Sequence, residues 1–492
     1  MTDDEILKGV LDEFRPLARI PRPSGHEKAV SDYLKETFTK LGAEVVQDET
    51  NNIIADLPAS KGYEHAPRTL LQSHMDMVCV AETGKKYDPL NDAIELVETD
   101  EFLSANGTSL GSDDGTGIAE IIYTFKNAVN HGPLRAIITV DEEVGMTGAR
   151  NLDAKYLDGV DYYINCDSED DDLLTIGSAG SVGVDFHRHI TWRDKSSVFA
   201  DEREANAYEI KIAGLLGGHS GERIADGRGN AIRVLALIID GLKAANVDFA
   251  VAEICGGTAR NAIPSSATLI IVTCAPKSDI QAVLDEVKSN FLASYGDVDE
   301  NIEISLNDAE RHAKVMSDDD VASFAELVMV LHTGVFSMFA KNPKLVETSA
   351  NIGMARTDGD DVWFTYFIRS GIYPKLMSLL RECMILGKRF SCEARAAKPS
   401  PVWQANTKSK LAKMMTDVYH EQCGKVMRVE AIHAGLECSY MLEKNPKLDA
   451  VSIGVTTLDI HSPNEHLVKS TVAPQVKLIM GTLAKIAGLR KE

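Results

Sequence analysis

The chain has 492 residues, room for two or three packed units at roughly 150 residues each. Hydrophobic residues make up 44% and charged residues 25%, a globular composition that excludes a disordered or fibrous chain. Asp and Glu outnumber Lys and Arg by 74 to 51, giving a formal net charge of −23. Such a surface repels phosphate backbones and anionic lipid, so neither nucleic acid nor membrane is an expected partner, whereas cations are favoured.

No apolar run approaches the roughly 18 residues that span a bilayer. The opening MTDDEILKGVLDEF carries acids where a signal peptide carries bases. The eight cysteines are scattered, and the nearest pair, Cys383 and Cys392, is nine apart. They read as reduced thiols of a cytoplasmic protein, and without C-x-x-C pairs there is no zinc ribbon. A bound metal is therefore expected on His and carboxylates.

Taken in chain order, Ser24-Gly25-His26-Glu27 matches a capping box. Val30, Tyr33, Leu34, Phe38 and Leu41 follow at helical spacing, and Gly42 marks the stop. Asn52 to Ala55 and Thr69 to His74 read as buried strands, Gly115 to Asn127 as a helix, Leu134 to Val140 and Asp161 to Cys166 as further strands. This alternation predicts an α/β layer with helices on both faces. Near residue 185 the character changes to alternating strands, followed by an apolar helix from Ala231 to Leu242, a strand from Ala267 to Thr273 and a helix from Asp279 to Ala293. A turn at Asp358-Gly359-Asp360, a strand from Val362 to Ile368 and a helix from Pro374 to Leu386 come next. Two prolines in Lys398-Pro399-Ser400-Pro401 suggest a linker. Beyond it, Lys408 to Gln422 (helix) and Ala450 to Val455 (strand) restore the first style. The expected fold is an α/β catalytic domain with a central β-sheet flanked by helices (residues 1–186 and 400–492), interrupted by an inserted α+β lid domain (residues 187–399).

Four clusters able to do chemistry each follow a predicted strand or open a helix. In His74-Met75-Asp76 the imidazole and carboxylate share one face of an extended segment, as when a metal-bound His gives its second N–H to a carboxylate. Taken alone the motif is weak, and a loop histidine beside a solvated Asp is its plainer reading. Asp113-Asp114 lies among glycines directly before a helix, as an inward-aimed carboxylate or as a helix cap. Asp141-Glu142-Glu143 gathers three acids at a strand end, an arrangement that calls for a compensating cation. In Asn165-Cys166-Asp167-Ser168-Glu169, Asp167 stands nearest the strand end, and the rest reads as hydrated surface. Carboxyl ends of strands are where open α/β sheets place their sites. His461 stands alone in Asp459-Ile460-His461-Ser462-Pro463.

Taken together, these motifs resemble the di-zinc metallopeptidases of the M20 family. The Ile20 to Glu27 opening, Gly217-Gly218-His219-Ser220-Gly221, His433 to Cys438 and Ile460 to Pro463 are similar to its aminoacyl-histidine dipeptidase branch (peptidase D, carnosinase-like). The resemblance spans about residues 14 to 466. It implies two Zn2+ per subunit, with Co2+ or Mn2+ sharing the same ligand types. Asp113 would bridge the ions, His74 and Asp167 would complete one position, and Glu143 and His461 the other. Asp76 would orient His74, and Glu142 would be the general base. His219 would stabilise the oxyanion, in cis or from a partner subunit, on a loop that Gly217, Gly218 and Gly221 allow. Asn261, Arg369 and Gly435 resemble the family's substrate residues, Arg369 taking the C-terminal carboxylate. A surface ion pair for Arg369 and a plain turn for Asn261 stay open. Small dipeptides are the implied substrates, and a homodimer through the inserted domain is the implied assembly.

Asp114 stands where related sequences often carry Asn, and Ser439 where they carry Gly. Asp114 would either alter metal preference or face water. The reading is thus a dipeptidase acting on Xaa-His, β-Ala-His included, and on other small dipeptides. The competing readings are an M20-type deacylase or aminopeptidase on another amide, and a non-catalytic metal- or peptide-binding protein.

Overall fold

Strand-forming residues alternate in side-chain direction, and in the first part of this chain both directions are apolar. Along Arg68–His74, Leu71 packs on one side and Leu70 on the other, and Ile138 and Ile137 do the same along Leu134–Thr139. A sheet with two apolar faces needs cover on both. The computed structural model describes residues 1–199 and 205–490, and it meets that need. One face packs against helices Lys28–Lys40, Ser112–Asn127, Lys410–Cys423 and Val472–Ala487, the other against Cys438–Lys444 and Thr147–Asn151.

This eight-stranded sheet runs in the order Glu44–Gln47, Ile53–Leu57, Leu134–Thr139, Arg68–His74, Val160–Asn165, Asp449–Ser452, Leu173–Ser178, Arg428–Ile432. Arg68–His74 lies parallel to both neighbours, so the ends of three adjacent parallel strands open on the same edge. The strands, helices and turns around it form one of two units, comprising Met1–Ser178, Trp403–Ile432 and the chain from Leu436 onward.

The second unit comprises Ala179–Val402 and His433–Gly435. Its main sheet is antiparallel, in the order Glu303–Asp308, Asn206–Ala213, Ala267–Thr273, Phe249–Gly256, Asn342–Asp358, Asp361–Ser370, Gly180–His189, Glu393–Ala396. Helices Ala231–Ala244, Asp318–Val330 and Tyr373–Arg389 contribute to one continuous apolar core with it.

The division differs from the expected 186/187 and 399/400. It falls at 178/179 and 402/403, because Gly180–His189 pairs without interruption along Asp361–Ser370 and a cut at 186 would sever that ladder. The short return His433–Gly435 is a further crossing that a linear division misses. The capping box expected at Ser24 and Glu27 does not form: Glu27 is the cap residue of Lys28–Lys40 but makes no side-chain cap bond. Both side chains are engaged by loops far along the chain. A capping box does form at Thr2 and Glu5, opening a helix over Asp3–Ala18 that has no counterpart among the expected elements.

Candidate active site

The carboxyl ends of the parallel strands carry the first group of residues. His74 ends its strand and is buried, with Nδ1 3.4 Å from Asp76 Oδ1. Its Nε2 lies 3.0 Å from Asp113 Oδ1 and 3.5 Å from Asp167 Oδ1. The other oxygen of Asp113, Oδ2, lies 3.2 Å from His461 Nε2, and that same nitrogen is 2.9 Å from Glu143 Oε2. Asp113 thus faces one histidine with each oxygen, and side chains from four other stretches, His74, Glu143, Asp167 and His461, gather around it.

Buried carboxylates outnumber the two histidines in this group. Burial would push the His74 imidazole down, but Asp167, Asp113 and Asp76 hold it well above its ordinary value. Burial would likewise depress His461, yet Asp113 and Glu143 push it up to about 11. Burial and the nearby Asp113 raise Glu143 to about 7. Burial raises Asp167 and lifts Glu142 well above the carboxylate range, reinforced for Glu142 by Asp167, Glu143 and Glu437 against the opposing pull of His74. Glu143 Oε1 and Asp114 Oδ2 are buried without a hydrogen-bond partner. Ligand atoms of His74, Asp113 and Glu143 lie within 4.8 Å of one another, as do those of His74, Asp114 and Asp167. Nitrogen and oxygen donors at this spacing, with unpartnered oxygens among them, fit divalent cations.

The supporting contacts are long-range. Besides lying 3.4 Å from His74 Nδ1, Asp76 accepts the backbone N–H of Glu142 at 3.0 Å and of Glu143 at 3.2 Å, together with the Ser24 hydroxyl at 2.7 Å. Glu27 accepts the N–H of Asp141 at 3.0 Å, so the failed capping box is consumed in holding this acidic turn. Asn52, fully buried, accepts from Val140 N–H and donates to the Gly148 carbonyl, closing the neck of the same loop. Glu465 accepts the N–H groups of Leu110, Gly111 and Ser112 at 2.8 to 3.0 Å, which fixes the turn presenting Asp113. The buried Arg22 guanidinium donates to the carbonyls of Met75, Asp76 and Gly111, joining the His74 and Asp113 loops. None of these bracing roles follows from the sequence motifs, although Arg22, Ser24 and Glu27 lie inside the Ile20 to Glu27 opening.

Asp114 does not face water. It is 4% exposed, and Oδ1 accepts the Gly117 N–H at 3.2 Å. Ser439 is buried, its hydroxyl donating to the Leu436 carbonyl. Glu437, also buried, accepts from Thr139 and Gln72 on two adjacent strands, and burial pushes it up to about 8.

His219, Asn261, Arg369 and Gly435 belong to the second unit. The Arg369 Nη2 donates to His219 Nε2 at 3.1 Å, which makes His219 the Nδ1–H tautomer, with Nδ1 3.2 Å from Glu222 Oε1. Gly218–His219 pairs with Ala262–Ile263, and the Asn261 carbonyl accepts from Ser220 N–H, so Asn261 borders this loop while its residue stays exposed. Gly217 and Gly218 adopt φ of +61° and +112°, the left-handed region that glycine enters without strain. Arg369 is buried, which lowers it to about 10 against the opposing influence of Glu222, and among the described residues no carboxylate is ion-paired with it. His433, hydrogen-bonded to Ser349 at 2.7 Å, is driven down to about 3 by burial and by Arg369. Gly435 ends the short return that carries His433.

The arrangement has relatives. The model of Peptidase family M20/M25/M40 matches residues 70–485. The cytosol non-specific dipeptidase of Escherichia coli (strain K12) is 31% identical over 480 residues, 96% of this chain and 97% of that protein. The crystal structure of aminoacylhistidine dipeptidase from Vibrio alginolyticus superimposes with a TM-score of 0.81 at 30% identity, over 98% of this chain and 97% of that one. Human carnosine dipeptidase 1, at 15% identity, TM-score 0.53 and coverage of 99% and 98%, shares the fold. By the extent of these matches, this chain belongs to peptidase family M20/M25/M40.

Proposed function

We propose that this protein is a two-metal dipeptidase of the cytoplasm that hydrolyses Xaa-His, including β-Ala-His, and other small dipeptides. The observation that carries the reading is Asp113, with one oxygen 3.0 Å from His74 Nε2 and the other 3.2 Å from His461 Nε2. In this reading His74 and Asp167 would hold one cation, Glu143 and His461 the other, with Asp113 available to both. Zinc is the proposed metal, and Co2+ and Mn2+ suit the same donors. When bound, the pair supplies Lewis acidity toward the peptide carbonyl and lowers the pKa of water.

The protein's own groups do the rest. Glu142 takes a proton from the water whose oxygen attacks the carbonyl carbon, and delivers it to the amide nitrogen as the C–N bond breaks. Asp76 keeps His74 oriented and holds the backbone of Glu142 and Glu143 in register. His219 offers a donor to the developing oxyanion, which requires its Nε2 to leave Arg369 or to gain a proton. Arg369 takes the substrate carboxylate, with Asn261 and Gly435 lining the same subsite. A homodimer through the second unit is part of the proposal. Support for the cytoplasm comes from eight scattered cysteines without a C-x-x-C pair and from the cytosolic E. coli relative.

Metal analysis with a substrate panel tests the reading. Two divalent ions per chain are expected, with turnover of Ala-His and β-Ala-His well above that of tripeptides and N-acyl amino acids. Preference for the N-acyl amino acids would make the protein a deacylase instead. A second test addresses the His219 loop. A Cβ at Gly221 would lie 2.7 Å from the His433 carbonyl oxygen, 3.0 Å from His219 Cε1 and 3.4 Å from Arg369 Nε. Gly221→Ala should cost about 1–3 kcal/mol of strain and lower kcat/KM at least tenfold at unchanged metal content. Wild-type kinetics in that variant would remove the loop from the mechanism.

A further inference from the structure

The expected ligand set leaves the buried carboxylate of Asp114 without a role. Neither Asp113 nor Asp114 has helical φ and ψ, although both open the Ser112–Asn127 helix. Their side chains are therefore free of the 100° divergence that a helix imposes on neighbours. The Ser73 hydroxyl donates to the Asp114 carbonyl at 3.0 Å, tying this residue to the strand end that carries His74. Gly117 N–H engages Oδ1, while Oδ2 is buried and unpartnered. A ligand atom of Asp114 lies within 4.8 Å of those of His74 and Asp167. An unpaired buried carboxylate oxygen is costly, and a cation at that point removes the cost.

Building on the two-metal reading, we propose that Asp114 is an additional ligand of the cation held by His74 and Asp167. The two positions are then unequal. The first offers three carboxylates, Asp113 included, and one imidazole; the second offers Asp113, Glu143 and one imidazole. The oxygen-rich position favours a harder ion such as Mn2+ relative to Zn2+.

The test is metal binding rather than turnover. Full-length wild type and D114N, stripped with a chelator, are titrated with Mn2+ and the free ion is followed by electron paramagnetic resonance. Wild type should take up two Mn2+ per chain. D114N should keep one site unchanged and hold the other about 10- to 100-fold more weakly, with a smaller change for Zn2+. Identical Mn2+ isotherms would overturn the assignment and leave Asp114 as the acceptor for Gly117 alone. A wild-type chain that takes up no divalent ion would overturn the metal-centre reading itself, and Asp114 with it. If circular dichroism shows D114N unfolded, crystals of zinc-loaded wild type decide. An Asp114 oxygen about 2.0–2.2 Å from the ion supports coordination, and one beyond about 3 Å refutes it.

Discussion

Glu142→Ala is expected to lower kcat by about 100- to 10,000-fold, the loss expected on removing a positioned general base, at unchanged metal content. The two neighbouring acids are set up differently. Glu143 is paired with His461 at 2.9 Å, whereas among the described residues Glu142 makes no such histidine ion pair, and its backbone N–H is held by Asp76. Burial and the carboxylates of Asp167, Glu143 and Glu437 raise the proton affinity of Glu142 well beyond that of an ordinary carboxylate, the direction a base needs when it must accept a proton at neutral pH. Glu142→Gln, which preserves volume, should be equally inactive. Metal analysis alongside steady-state kinetics separates this outcome from loss of the centre. Undiminished hydrolysis in either variant would take Glu142 out of the proton path.

Arg369→Met is expected to raise KM for dipeptides by about 30-fold or more, since truncating one partner of a buried charge pair costs about 2–5 kcal/mol. The guanidinium is 6% exposed, rests 4.8 Å over the Phe367 ring and donates to the neutral nitrogen of His219. A buried cation satisfied by an imidazole and an aromatic face, with Nε unpartnered, suits a carboxylate brought by the substrate. The same prediction can be read from the substrate side: a dipeptide amide should bind the wild-type enzyme about as poorly as the dipeptide binds the variant. Equal KM for the acid and its amide in the wild type would assign Arg369 a structural task instead.

Much of the site was legible because its signals are local. A strand ending in His-x-Asp, an Asp-Asp turn before a helix and three acids after a buried run each report chemistry within a few residues. Strand placement was legible for the same reason: Thr69 to His74 and Ala267 to Thr273 fall on or within one residue of the observed Arg68–His74 and Ala267–Thr273. The local rule failed at Ser24 and Glu27, whose side chains leave their own helix to bond Asp76 and Asp141, 52 and 114 residues away.

What the sequence determined by itself is therefore the type of chemistry: nitrogen and oxygen donors at the ends of buried strands in an acidic chain. The tertiary structure decided the partnerships. It placed Asp113 between two histidines, the second 348 residues downstream, and buried Asp114 instead of leaving it in water. It also spanned the loops with Arg22 and Glu465. Side-chain types and short spacings survive in one dimension, but which buried carboxylate meets which cation depends on strand order and loop closure, and those follow from packing the whole sheet.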